Sequence, residues 1–397
     1  MATTSNNISF AGEVDVQIVE LISHKKERID IKQLMLELSI YEDIFSNTVS
    51  GSILVTDGFD LIHNLPLIGE EIIHIRYVTP TMPESCVVDY YGYVYRVSDK
   101  IMTAERSQSY LIHFTSFENI IGVNKKVSKA FDARCDQIVS EVFSSTEFLS
   151  SEVKLEVEQC QNNIKFVSPM WNPMKTINWV SERAINKNGS PTYLFYETLD
   201  SKFHFKSLES LYTQIPKEGI KYRFDNYLRD TQTNGSVRNV GMEYSIIRDF
   251  HVEESFDYLK RIMSGVYANK LVSTNLISKT IKTTSMDYLQ DFGNRKHLQN
   301  YPVTSDDLIR RRNASIEFVT NSEYAYDGQK NFRHDEWLNQ RKALLGQANF
   351  TFKVDMTVSG RSDIHAGDVV EVELAQHAPI NSRSEEHTSE LQSPNTI

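Results

Sequence analysis

The strongest constraint in this sequence is an alternation of apolar and polar residues that runs through residues 10–120. Successive side chains of a β-strand point to opposite faces, so this pattern predicts strands with one buried and one exposed face. The alternation recurs in six segments: residues 14–18, 34–40, 52–56, 71–78, 87–97 and 110–115. Turn residues separate them, and several short strands with short connections predict an antiparallel barrel or sandwich. We therefore assign residues 10–122 to a first β domain, a barrel or a sandwich, behind a flexible N-terminus of residues 1–9.

The pattern changes after residue 122. Phe131, Cys135, Ile138 and Val142 share one helical face, which predicts an amphipathic helix over residues 129–145. A second helix is predicted to begin at Asn172 and Pro173 and to stop before Gly189, because asparagine is a favourable N-cap and proline suits the first helical turn. Its buried stripe would contain Met174, Ile177, Val180 and Ala184, and a hairpin over residues 192–198 and 202–207 would follow. Residues 123–215 are therefore predicted to be an α+β domain.

Strand-like segments return in the remainder of the chain. Residues 221–224, 242–250, 350–358 and 369–374 indicate a second β-barrel, built from residues 216–250 and 310–382. An inserted excursion, residues 251–309, would contain a helix over 253–264, extended chain over 266–283 and a polar stretch over 287–307. A further helix is predicted over residues 334–345, stopped by Gly346. The predicted fold class is α+β and mainly β, with two related antiparallel barrels and an inserted α+β domain.

Residues 383–397 do not resemble sequence shaped by folding. They lack apolar periodicity, and residues 383–393 resemble the translation of a sequencing-library adapter. We expect them to be an artefact and the second barrel to be truncated near residue 382. The formal net charge is −11; without this segment, which carries one arginine and three glutamates, it is −9.

The charge balance and cysteine usage exclude several protein classes. An acidic chain whose densest basic cluster is Arg310–Arg312 lacks the footprint needed to grip duplex DNA. The chain has neither a signal-peptide pattern nor an apolar run long enough to span a bilayer. Three widely spaced cysteines do not form a disulfide framework, which indicates assembly in a reducing cytosol.

A search for catalytic and metal-binding patterns returns nothing specific. The histidines, among them His63, His74 and His113, lack metal-ligand spacing and are interpreted as hydrogen-bonded residues at the edge of the core. Glu70 and Glu71 are adjacent and would point to opposite faces of a strand, so a turn role is favoured. Cys135 is predicted to be a small core residue, and Trp171 and Trp179 to be packing anchors. We expect no catalytic, cofactor-binding or metal-binding residues, and no enzyme activity.

Four phrases in the same order resemble the baseplate hub family of contractile-tailed phages, whose relatives include spike proteins of type VI secretion. The first phrase covers residues 38–75 and contains Leu65-Pro66-Leu67-Ile68-Gly69-Glu70-Glu71. The second runs from Val167-Ser168-Pro169 to the hairpin with Phe195-Tyr196-Glu197-Thr198, and the third is Gly265-Val266-Tyr267-Ala268-Asn269-Lys270. The fourth joins residues 341–360 to residues 364–370. The sequence departs from the family's pattern only at the C-terminus, where the end of the second barrel is missing.

The resemblance implies a structural subunit of a virion tail baseplate, assembled in the host cytoplasm. It implies a homotrimer that presents pseudo-sixfold symmetry to the tail tube, carries the central spike and leaves an axial channel for DNA, without membrane insertion. Negative channel walls would repel phosphates, and Glu42, Asp43, Asp57 and Asp60 are candidates to line the channel; their alternative is a role as solvated turn residues. A tail-associated cell-wall hydrolase and a type VI secretion spike hub remain as alternative functions.

Overall fold

The structure of the protein, a computed structural model, describes twelve stretches of the chain. They are residues 11–64, 67–80, 86–104, 107–217, 221–224, 244–254, 257–276, 279–298, 302, 315–321, 334–349 and 353–374. The predicted artefact at residues 383–397, the N-terminal residues 1–9 and the cluster Arg310–Arg312 lie outside these stretches. Within them the protein is α+β and mainly β, which confirms the predicted fold class.

The alternating segments form one curled antiparallel half-barrel of seven strands in the order β2-β1-β5-β6-β7-β4-β3. The strands are β1 (Asp15–Ile22), β2 (Arg28–Asp30), β3 (Met35–Tyr41), β4 (Ser50–Asp57), β5 (Ile72–Val78), β6 (Val88–Ala104) and β7 (Ser107–Thr115). Two helices, α1 (Leu61–Asn64) and α2 (Phe117–Asn124), interrupt or follow them. The six predicted strands are therefore confirmed.

Alternate residues of β4, β5 and β7 face a common core. Ile53 and Val55 on β4, Ile73 on β5, and Ile112 and Phe114 on β7 are fully buried. Because the strand period is two, the residues between them lie on the outer face, where polar side chains remain in water. The alternation seen in the sequence is thus the two-faced structure of this sheet.

Helices and small sheets mix in the next part of the chain. Its elements are β8 (Ala130–Arg134), α3 (Cys135–Ser144), β9 (Lys154–Val157), β10 (Asn163–Val167), α4 (Pro173–Ser181), β11 (Tyr193–Thr198), β12 (Lys202–Ser207) and α5 (Leu208–Tyr212). β10 pairs with β8, while β12 lies between β11 and β9. A single aromatic-rich core from Val127 to Phe205 joins these elements except α5, with α3 and α4 packed together. The buried Leu208 and Leu211 of α5 pack in a separate cluster with Leu194 and Tyr196.

Local signals predicted part of this region correctly. Asn172 caps α4 by accepting a hydrogen bond from the Lys175 amide at 2.7 Å, and Pro173 occupies the first turn. The buried stripe of Met174, Ile177 and Val180 and the β11–β12 hairpin are confirmed, but the predicted end of the helix before Gly189 was wrong, because α4 ends at Ser181 and Ala184 is buried beyond it. The prediction of one helix over residues 129–145 was wrong at its start, because residues 130–134 form β8 and pair with β10.

The remaining described elements form three small sheets and three helices. β13 (Lys221–Arg223) pairs in parallel with β19 (Glu371–Glu373), and β14 (Ile247–Glu254) pairs in antiparallel fashion with β18 (Lys353–Val358). β15 (Ala268–Asn275) lies between β16 (Thr280–Asp287) and β17 (Ser315–Asn321). The helices are α6 (Tyr258–Met263), α7 (Tyr288–Phe292) and α8 (His334–Asn349).

Two predicted helix boundaries in this part were wrong, and one short helix was not predicted. The helix predicted over residues 253–264 begins only at Tyr258, since β14 extends to Glu254. Gly346 does not end α8, which continues to Asn349, and the polar stretch after residue 287 contains α7. That β13, β14, β18 and β19 belong to a second barrel related to the first, and the predicted domain limits, stay predictions.

Candidate functional site at the junction of three chain segments

The loop between β3 and β4, residues 42–49, contacts two distant parts of the chain. One is the β11–β12 hairpin, and the other is the loop of residues 359–370 between β18 and β19. We call this contact the junction and define it by Glu42, Val49, Glu197, Leu199, His365 and Ala366. The junction is one of the contacts that attach the first sheet to the rest of the described chain.

Glu42 supplies one side of the junction. Its carboxylate is 10% exposed and accepts a hydrogen bond from the Leu199 amide at 2.6 Å and another from the Ala366 amide at 2.7 Å. The same carboxylate lies 3.1 Å from Nδ1 of His365. A single side chain after β3 therefore joins the first sheet, the hairpin and the loop of residues 359–370.

Glu197 supplies the reciprocal contact from β11. Its Oε2 accepts a hydrogen bond from the Val49 amide at 2.8 Å and another from the Ser116 hydroxyl. The Ser116 hydroxyl lies 3.1 Å from the hydroxyl of Tyr90 in the core of the first sheet. Each side of the junction thus provides a carboxylate that accepts from the backbone of the other side.

Burial changes the protonation of this contact. Burial raises the pKa of Glu197 to about 8, although its hydrogen bonds to Ser116 and Val49 act in the opposite direction. The negative charges of Glu118 and Glu42 raise it further. Burial lowers the pKa of His365, but the hydrogen bond and charge of Glu42 outweigh it, so that pKa is raised overall. Both groups therefore hold protons more tightly in the folded protein than in water.

Gly367 allows the loop of residues 359–370 to approach the hairpin. Its φ of +91° lies in the left-handed region, and a Cβ there would stand 2.6 Å from the hydroxyl oxygen of Tyr196. Nearby, the Lys217 ammonium forms an ion pair with Asp368 at 2.7 Å. A side chain at position 367 would force the loop away from Tyr196, so glycine is required for this packing.

Arg341 attaches helix α8 to the same hairpin from another direction. Its Nη1 donates hydrogen bonds to the carbonyl oxygens of Tyr193 at 2.7 Å and Pro191 at 3.1 Å, with a longer contact to Ser181. Burial lowers the pKa of Arg341 to about 10, partly offset by the charge of Glu182. Helix α8 is therefore held by a largely buried cation that satisfies backbone carbonyls.

Two of the four predicted channel residues are placed elsewhere by the structure. Asp57 is 1% exposed; its carboxylate accepts from the amides of Phe59 and Leu61 and from the Tyr110 hydroxyl. Glu42 is held in the junction. The prediction that these two line a channel was wrong, because their carboxylates are committed to hydrogen bonds within the chain.

The other two predicted channel residues lie on the surface. Asp43 and Asp60 are both exposed. The Asp43 carboxylate accepts from the Phe45 amide at 2.8 Å, and that of Asp60 accepts from Gln108 at 3.3 Å. Their role in a channel stays a prediction.

The histidines and the acidic doublet have structural surroundings. His74 is 4% exposed, and its ring nitrogens lie 2.9 Å from Glu20 and 2.7 Å from Asp89. His113 lies 2.8 Å from the Ser98 hydroxyl, while the side chain of His63 is outside the described residues. Glu71 is fully buried and accepts from the amides of Ile68 and Gly69, whereas Glu70 is exposed. The hydrogen-bonded interpretation of His74 and the turn role of Glu71 are confirmed.

The cysteine and tryptophan predictions are confirmed as well. Cys135 is fully buried at the start of α3. The rings of Trp171 and Trp179 lie 5.8 Å apart, and the Arg183 guanidinium stacks over Trp179 at 3.7 Å. In the part of the chain that the structure describes, no group of three His, Cys, Asp or Glu side chains could hold a metal ion, and no helix is long and apolar enough to cross a bilayer.

Sequence reasoning missed the junction because its partners are far apart in the chain. Glu42 is separated from Leu199 by 157 residues and from Ala366 by 324 residues. Two parts of the junction, Glu197 and the loop of residues 364–370, lie in the second and fourth phrases of the sequence analysis. Nothing in either phrase showed that they meet in space.

Comparison with known proteins places the fold among phage tail proteins. No family model matches the sequence, and no curated protein is similar to it. The structure is similar to a tail protein from Neisseria meningitidis, with a TM-score of 0.51 and 10% identity over 91% of this chain and 88% of that protein. It is also similar to the 43 kDa tail protein of prophage MuSo2 from Shewanella oneidensis, with a TM-score of 0.47 and 11% identity over 90% of this chain and 88% of that one.

Type VI secretion proteins are also among the structural neighbours. In a Francisella PdpA–VgrG complex the TM-score is 0.41 at 9% identity, over 82% of this chain and 42% of that chain. The neighbours are thus phage and prophage tail proteins and type VI secretion complexes, as the resemblance predicted. At these identities the likeness to the Neisseria meningitidis protein concerns the fold.

Proposed function

We propose that this chain is a structural subunit of a phage tail baseplate hub. In this proposal three copies form a pseudo-sixfold ring that joins the tail tube to the central spike and leaves an axial channel for DNA. The observation that carries it is the fold shared with a tail protein from Neisseria meningitidis over 91% of this chain. A domain division at about residues 122 and 215, with a second barrel from residues 216–250 and 310–382, belongs to the same proposal.

The construction of the junction supports a scaffold role. Glu42 and Glu197 each accept hydrogen bonds from backbone amides of another chain segment. Thr79 and Ser362 add a second contact between the first sheet and the loop of residues 359–370, with hydrogen bonds of 3.0 and 3.4 Å between them. Satisfied buried polar contacts fix relative orientation more strictly than apolar packing alone. A ring subunit needs such fixed orientation to hold the same interfaces in every copy.

The outer face of the first sheet offers surface for subunit contacts. Tyr41, Tyr91 and Tyr95 are exposed by 60%, 52% and 50% of their surface. Tyrosine is enriched at protein interfaces because its ring buries large apolar area while its hydroxyl keeps a hydrogen-bonding partner. A homotrimer and a spike partner would cover part of this surface.

The negative net charge of the chain is consistent with DNA passage in this proposal. The chain is acidic with or without residues 383–397, at −11 or −9, and carboxylates on a channel wall would repel phosphates and keep DNA mobile. Asp43 and Asp60 remain the candidates, since both are exposed. Duplex DNA would then pass the hub without being held.

The mass of the assembled protein tests this proposal. The protein is expressed alone and together with its spike protein, and each sample is measured by light scattering after size exclusion. We expect a trimer in at least one of the two samples. A monomer of this chain in both samples would overturn the ring proposal.

A further inference from the structure

The junction combines two buried acids with backbone amides, one hydroxyl group and one titratable imidazole as their hydrogen-bonding partners. Glu197 is 7% exposed as a residue. Its carboxylate accepts hydrogen bonds from the Val49 amide and the Ser116 hydroxyl. Glu42 accepts from the amides of Leu199 and Ala366 and faces His365. Among the described residues, neither carboxylate has a lysine or arginine within ion-pair distance. A proton is therefore the available countercharge at Glu197, because an ionised buried carboxylate without a cation is costly.

The surrounding charges strengthen that requirement. Glu197 is faced by Glu118 from α2 and by Glu42 from the β3–β4 loop, together with the hydroxyl groups of Tyr90 and Ser116. The three ionisable side chains at this contact, those of Glu42, Glu118 and Glu197, are all carboxylic acids. Loss of the proton from Glu197 would place like charges on both sides of one buried contact.

His365 has an equivalent arrangement on the other side of Glu42. It is faced by Glu42 and Asp200, with the Lys217 ammonium as the opposing positive charge. A protonated imidazole attracts the Glu42 carboxylate, whereas a neutral imidazole gives only a neutral hydrogen bond. The contact between the first sheet and the loop of residues 359–370 is therefore stronger when His365 is charged.

We propose that the junction is a pH-dependent latch, in which protons on Glu197 and His365 keep the first sheet attached to the hairpin and the loop, and their loss on alkalinisation lets the junction open. The sign is the same for both groups. Each binds its proton more tightly when folded than when exposed, so each favours the closed junction at low pH. For Glu197 the closed state is fully favoured below pH 4.5 and loses this advantage as the pH rises to about 8.

Proton linkage gives the size of the pH effect on the opening equilibrium of the junction. Between these two pH values an open junction releases the Glu197 proton and a closed one keeps it, so the opening equilibrium constant rises up to about tenfold per pH unit. His365 adds to this slope above its ordinary pKa, because its pKa in the closed junction is raised. The junction should therefore open before the rest of the protein as the pH rises. Hydrophobic cores without a buried group of raised pKa should keep their protection.

Hydrogen exchange of the full chain tests the latch. Exchange is followed by mass spectrometry from pH 5.5 to pH 8.5, and rates are corrected for the intrinsic dependence on pH. Peptides covering residues 42–49 and 359–370 report the junction, and a peptide covering α3 reports the core. We expect protection in the junction peptides to fall by roughly a hundredfold across this range, with α3 unchanged.

Two variants separate the latch from general destabilisation. Glu197→Gln keeps an acceptor for the Val49 amide but cannot titrate, so the pH dependence of peptide 42–49 should flatten. Glu209→Gln alters a buried acid outside the junction, which accepts from Asn186 at 2.6 Å, and should keep the wild-type slope at the junction. Protection that is independent of pH in the wild type, or a Glu197→Gln slope equal to that of the wild type, would overturn the latch. If Glu197→Gln fails to protect α3, the wild-type series alone decides.

Discussion

Removing the guanidinium of Arg341 should detach helix α8 from the β11–β12 hairpin. Two strong hydrogen bonds, to the carbonyl oxygens of Tyr193 and Pro191, depend on its Nη1. A hydrogen bond to a charged group contributes about 1.5–3 kcal/mol, and burying the cation offsets part of that gain. Arg341→Met keeps the apolar stem but leaves both carbonyls without this donor. We expect local opening of α8 to become easier by about 2–4 kcal/mol.

Hydrogen exchange of peptides from α8 measures this change directly. A loss of 2–4 kcal/mol corresponds to roughly a 30- to 900-fold faster exchange, since about 1.4 kcal/mol is tenfold. Lys342→Met is the matched control, because the neighbouring lysine is 64% exposed and its ion pair with Glu317 is 3.6 Å long. It should change exchange less than about threefold. If Arg341→Met matched the control, the guanidinium would not hold the helix.

Two further predictions concern buried groups. In the native protein a thiol reagent should label Cys86 only: its side chain is half-buried, whereas Cys135 and Cys160 are buried, and contact with Cys160 together with burial raises the pKa of Cys135. Intact-mass analysis should show one label when native and three in denaturant; three rapid labels on native protein would contradict the buried assignment. Gly367→Ala should destabilise the fold by about 1–3 kcal/mol in thermal melts, through left-handed strain and a clash with a tyrosine hydroxyl. Gly360→Ala, where a Cβ meets nothing within 4 Å, should be near neutral, and equal melting of the two variants would refute the packing argument.

The sequence predicted elements whose causes are local. Alternation identified the strands of the first sheet because one face of each strand is buried, as with Ile53 and Val55 on β4. Asn172 and Pro173 identified the start of α4 because capping needs only residues within the same turn. Signals of this kind are complete within a few neighbouring residues.

Errors arose where distant partners decide the structure. Phe131 lies four residues before Cys135, a spacing that is typical of one face of a helix. Phe131 nevertheless belongs to β8, where it pairs with Phe166 of β10. Glu42 was predicted to face a channel because loops at the end of a barrel would face a neighbouring subunit or the channel, but amides 157 and 324 residues away bind it. Neither partner could be identified from the residues around Phe131 or Glu42.

Electron cryomicroscopy of the phage tail tests the baseplate-hub account most directly. Particles of the phage that encodes this chain are imaged, and the density between tail tube and spike is examined with the fold of the described residues. The account predicts three copies around the tail axis, with the half-barrel and junction fitting the density of each copy. A density at that position built from another protein, with this chain absent from the purified tail, would contradict it.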